Sequence, residues 1–153
     1  MAGSDHVLSK AFLTTGSAAY VFGQCVVAVA GTSLDPNQMI QANTTTSLAA
    51  FAPTPLGLVQ ENIDLVKVQT GKAYANVAIA GIAFGIWDGV GSLVVGANLA
   101  PSAVVSGRLA VATLAAPAGK PVVGTYIGQS GGVTAAAAAG DIITVLLTPG
   151  ARY

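Results

Sequence analysis

The chain has 153 residues, of which six are basic and six acidic, giving no net charge at pH 7, and 53% are apolar. Charged residues make up 8%, against roughly 25% in ordinary soluble domains, so a globule of this size carries about one charge per 600 Å² of its surface. That balance leaves no electrostatic footprint for nucleic acid and no basic stripe for an anionic membrane. It also leaves no repulsion to hold copies of the chain apart. A surface so poor in charge is expected to be covered by copies of itself or by a larger assembly.

The mean hydropathy of +0.70 raises the question of membrane insertion. The uncharged stretches 11–34 and 89–107 are both interrupted by Gly, Ser, Thr, Asn, Gln or Pro, and neither contains the roughly 18 continuous apolar residues of a spanning helix. Residues 1–20 carry Asp5, His6 and Lys10 and lack a compact apolar segment, a poor match to a signal peptide. A soluble intracellular start is expected.

Taken in chain order, residues 1–16 hold many of the polar groups and read as an N-terminal arm or loosely attached segment. The rest, 17–153, reads as one β domain. In YVFGQCVVAVAG (20–31), Val21, Cys25, Val27 and Val29 alternate with Phe22, Gln24, Val26 and Ala28, predicting a strand buried on one face and partly on the other. Residues 31–55 predict an irregular loop, with a turn at Leu34-Asp35-Pro36-Asn37 and extended chain around Pro53 and Pro55. LGLVQ (56–60) and NIDLVKVQ (62–69) read as strands, with Thr70-Gly71-Lys72 as a hairpin turn.

Tyr74 to Trp87 predicts a long strand ended by the turn dipeptide Asp88-Gly89. Val77 and Ile79 share one face, whereas Ile82, Phe84 and Ile86 belong to another phase. The change near Ala80-Gly81 predicts a bulge or bend. SLVVGANLAPS, GRLAVATL, PVVGTYIGQ and DIITVLL follow as short apolar segments, the last with Ile143, Val145 and Leu147 in one phase. The five alanines 135–139 are too few to nucleate a helix before Gly140. Eight or so short strands with frequent Gly turns predict an all-β fold, a small antiparallel β-barrel or β-sandwich.

Reactive groups are few. His6 is the one histidine and lies in the arm, so no base can be placed beside a nucleophile. Cys25 reads as a small buried apolar side chain and cannot form an internal disulfide, being the one cysteine. Glu61 and Asp64 are three residues apart and read as solvated turn positions, while Asp88 and Asp141 adjoin glycines and read as turn builders. No metal-ligand spacing, Walker motif or dinucleotide fingerprint is present. A non-enzyme without cofactor or small-molecule substrate is expected. Trp87 reads as core filling or an interface anchor; Arg108, Arg152 and Tyr153 are the other candidate interface residues.

The second half carries LGLVQ (56–60), VAIAGIAFG (77–85), VVGANLAPS (94–102), SGRL (106–109), VVGTYIGQ (122–129) and AAAAAGDIITVLL (135–147). This order of segments resembles the capsid decoration proteins, also called cement or head-stabilising proteins, of tailed bacteriophages. The resemblance implies a β-tulip-like barrel or sandwich with an extended N-terminal arm. It also implies a homotrimer on the outer surface of the virion's capsid, made in the host cytoplasm, that bridges neighbouring major capsid subunits. The alternatives are another structural virion protein, of the tail tube or a vertex, or a carrier module presenting Lys67 or Lys72 on a hairpin.

Overall fold

The computed structural model describes residues 7–15, 18–28, 38–41, 55–112, 122–129 and 137–148. Among them are nine strands and one short helix: β1 (Leu8–Thr14), β2 (Cys25–Ala28), β3 (Gln38–Gln41), β4 (Pro55–Val59), α1 (Leu65–Gln69), β5 (Tyr74–Ile86), β6 (Asn98–Pro101), β7 (Leu109–Val111), β8 (Gly124–Gln129) and β9 (Ile142–Leu147). The fold is therefore all-β and barrel-like, as the short apolar segments predict. Every pairing between these strands is antiparallel except β1 with β3.

The long strand β5 organises the molecule. Its first half pairs with β1 on one edge and β4 on the other, and β4–β2–β3–β1 completes a ring of pairings. At Gly81 the strand changes partner: Ala80 lies opposite Leu8, whereas Gly81 lies opposite Leu147 of β9. Gly81 takes φ of 91°, a conformation that L side chains avoid, so the bend expected near Ala80-Gly81 is where one ring hands over to the next. The second half of β5 then leads through β9, β8 and β6 to β7, and a parallel bridge between Trp87 and Leu109 brings β7 back to the end of β5.

Two cores result. Cys25, Val27, Leu58, Ala78, Trp87, Leu99, Leu109 and the β9 residues Ile143, Val145 and Leu147 form one, between the two halves. Phe12, Tyr20, Val26, Val59, Ile63, Val68 and Val77 form the other, under α1. Cys25, Val26 and Val27 of β2 are fully buried, Cys25 and Val27 in the first core and Val26 in the second.

Four expectations change. Residues 8–14 of the expected arm are a strand: Leu8 to Ala11 are exposed, but Phe12 and Thr14 are buried, and Thr14 donates from both its N–H and its Oγ1 to the carbonyl of Ala73. The strand read across 20–31 starts only at Cys25, because Val21 to Gln24 form a turn closed by Gln24 N–H on Val21 O and by Val21 N–H on the Gln24 amide oxygen. The irregular segment 31–55 contains β3, which fills the gap between β1 and β2; the Asp35-Pro36 turn lies outside the described residues.

The fourth change is at 65–69, which is a helical turn rather than a strand. Tyr20 and Ile63 exchange both backbone hydrogen bonds, at 2.9 and 2.8 Å, pinning the chain just before it. The segment must then lie across the second core rather than beside a strand, and only Val68 is buried. Tertiary placement overrides the β-branched composition. Thr70-Gly71 ends this helix, with Thr70 Oγ1 and the Gly71 N–H donating to Lys67 O and Val68 O. No described helix is long and apolar enough to cross a membrane.

Candidate functional site

The titratable groups that could support chemistry are tied into the scaffold. The Cys25 thiol is completely buried, and desolvation pushes it up to about 12, so it is neither a nucleophile nor a ligand near neutral pH. Asp88 is buried, accepting from the Val90 N–H at 2.9 Å and from Ser102 Oγ at 2.7 Å. Ser102 Oγ in turn accepts from the N–H groups of Val104 and Val105. Asp141 accepts from the Ala138 N–H at 2.7 Å and from Gln129 Nε2 at 3.3 Å. Glu61 accepts from the Asn76 N–H at 2.6 Å, and Asp64 is exposed. Asp88 and Asp141 thus close turns, and Glu61 ties its segment to β5. Among the described residues no three His, Cys, Asp or Glu groups could hold a metal ion, and His6 lies outside them.

Burial of Cys25 has a pH consequence. Its folded-state value lies above the unfolded one, so the associated stability is whole below about pH 9 and is lost as pH rises towards 12. Three pH units correspond to about 4 kcal/mol. Tyr20 adds in the same direction, since burial raises its value above 10.0. Denaturant midpoints should be flat from pH 6 to 8 and fall steeply above pH 9, with Cys25→Ala removing much of that fall.

What the fold does present is a surface. In the second half of β5, Ala83 and Gly85 are buried, as is Trp87 just after it, while Ile82, Phe84 and Ile86 face outward and are half-buried. The register places Ile82 opposite Leu146, Phe84 opposite Thr144, and Ile86 opposite Ile142, and Thr125 of β8 opposite Leu146. Residues opposite one another share a face, so these positions form one contiguous outer face without a charged side chain. Phe22 extends it, its ring 5.8 Å from that of Phe84. Leu146 is 42% exposed and Ile127, on β8, 38%. Val94 and Val95, 63% and 72% exposed, border the sheet where the Gly96 N–H donates to Tyr126 O and the Tyr126 N–H to Ala97 O.

Among the described residues, Asp88, Arg108 and Asp141 are the charged groups of the second half, beside the ends of β5, β7 and β9. Lys10, Glu61, Asp64, Lys67 and Lys72 belong to β1, α1 and the turns beside it, in the first half of the molecule. Of the candidate interface residues, Trp87 is fully buried in the chain's own core and offers no surface to a neighbour. Arg108 is half-buried at the start of β7, its guanidinium near Gly140. Arg152 and Tyr153 lie outside the described residues. The outward residues of β5 and β9 were not singled out from the sequence. Their signal is the alternation of Ile82, Phe84 and Ile86 with Ala83 and Gly85, in which the small residues face the core.

No family model matches the chain, and no curated protein matches it. Among solved structures, the chain is similar to the crystal structure of the N base of head fiber gp8.5 in bacteriophage phi29. The TM-score is 0.53 at 14% identity, over 94% of this chain and 95% of that one. At that identity the likeness shows a shared fold.

Proposed function

We propose that this protein is a structural component of a tailed-phage virion, mounted on the outside of the head, where it decorates and stabilises the capsid by bridging major capsid subunits. One observation carries the reading: nearly the whole chain shares its fold with nearly the whole base of a phage head fiber. The charge-poor composition supports it independently, since a protein held by many weak, shape-matched contacts gains its hold through avidity rather than through charge. So does the use of Asp88 and Asp141 in turns, of Glu61 in a bond to β5 and of Cys25 in the core, which leaves the described residues without a nucleophile–base pair.

The partners in this reading are the major capsid protein and copies of the chain itself, three by the resemblance to cement proteins. The likeness to a head-fiber base favours a second reading within the same class, in which the domain seats a projecting structure at selected positions. Copy number separates them. Quantitative mass spectrometry of purified particles should find this chain near one copy per major capsid subunit if it covers the lattice. A small fixed number would favour the fiber base, and absence from particles would overturn both.

A further inference from the structure

We infer that the outer face of the β5–β9–β8 sheet is the surface through which copies of this chain associate, the occupant of the face being a second copy. The inference rests on the chemistry of that face and not on the virion reading.

Three observations converge. First, the face is continuous by register, from Phe22 through Phe84, Ile82 and Ile86 of β5 to Ile142 and Leu146 of β9. No charged side chain and no proline interrupts these positions. Second, size fits. Six paired positions at about 3.3 Å and three strands plus the bonded 94–97 segment at about 4.8 Å spacing cover roughly 400 Å² in projection. A standard interface takes about 800 Å² from each partner and is a little over half apolar, so the face supplies the apolar centre and the exposed Val94 and Val95 a rim.

Third, the electrostatics admit a like partner. The face offers nothing to a charged surface, and the chain carries no net charge, so two copies approach without repulsion. An apolar sheet face can stack on its own copy at about 10 Å, and symmetry then covers both faces at once. Lys10, Glu61, Asp64, Lys67 and Lys72 stay on the other half of the molecule, and Asp88 and Asp141 are engaged in hydrogen bonds of their own half.

Burial of Cys25 makes the test clean, because the one native thiol is unreactive. Leu146→Cys places a single accessible thiol on the face, and Val66→Cys, at a position 75% exposed on α1, places one away from it. Both substitutions are small changes at surface positions. Maleimide labelling of each variant is followed at submicromolar and at about 100 µM protein, alongside the native mass of the unsubstituted chain. The expected result is an oligomer whose Leu146→Cys labelling slows at least tenfold at the higher concentration, with Val66→Cys unchanged. A monomer at 100 µM would overturn the inference. So would equal labelling of the two variants throughout, or slow labelling of Leu146→Cys that does not depend on concentration, which would mean the chain covers its own face.

Discussion

Replacing Gly57 by alanine is expected to destabilise the protein by about 4 kcal/mol, more than a change of one methyl group normally does. Gly57 lies in the middle of β4, opposite Val26 on one side, with φ of 155°. A methyl group there would overlap the carbonyl oxygen of Ala78 on β5 and crowd Val77 Cγ1 at 3.1 Å. The obstacle is backbone, so no rotamer change relieves it; β4 and β5 must separate instead. That separation breaks the ring beside Leu58 and Val59, which are fully buried in the two cores. For a chain of this length each kcal/mol lowers Tm by roughly 2–4 °C, so a fall of about 10–15 °C is expected in thermal unfolding followed by far-ultraviolet circular dichroism. A fall of less than about 3 °C would show that the two strands can move apart there at little cost.

Trp87→Ala is expected to cost about 3–5 kcal/mol, the range for removing a large aromatic from a packed core. The backbone of Trp87 is held by the Gly140-Asp141 segment, its N–H donating to Asp141 O at 2.9 Å and its carbonyl accepting from the Gly140 N–H at 2.8 Å. The cavity would therefore be kept open rather than closed by collapse. The side chain sits where β2 of the first half meets β7 and β9 of the second, so its loss loosens the contact between the halves. Trp87→Phe should restore most of the stability. An interface anchor would behave differently: truncation would weaken association and leave the dilute monomer as stable as before. Denaturant unfolding at submicromolar protein, read by circular dichroism because the only tryptophan is removed, separates the two.

These variants show where the sequence was legible. β9 could be read from its own residues, since Ile143, Val145 and Leu147 alternate with partly exposed neighbours and are buried, as one face of a strand should be. The Asp88-Gly89 turn was equally local, because an Asp side chain bonds to the backbone two residues on. The candidate site was not. Ile82, Phe84 and Ile86 share a phase, but nothing in the sequence states which side of the sheet that phase faces. Gly85 decides it, because Leu109 Cδ1 and Leu58 Cδ1 occupy the space above it: small residues of β5 face the core so that side chains from β7 and β4 can fill it. Those neighbours are 24 and 27 residues away in sequence.

By itself, the sequence determined the class of the fold, its turns and the scarcity of charge, all of which follow from local conformational preference and composition. Short β-branched runs broken by glycine can bury themselves only as strands, and twelve charges cannot cover such a surface. Tertiary structure alone decided that residues 8–14 are a strand rather than an arm, that 65–69 turn into a helix, that Trp87 is internal, and that the apolar outer face lies on β5 and β9. Each of these depends on a pairing or packing partner distant in the chain. The energy of such a contact is absent until the ring closes, so no local pattern records it.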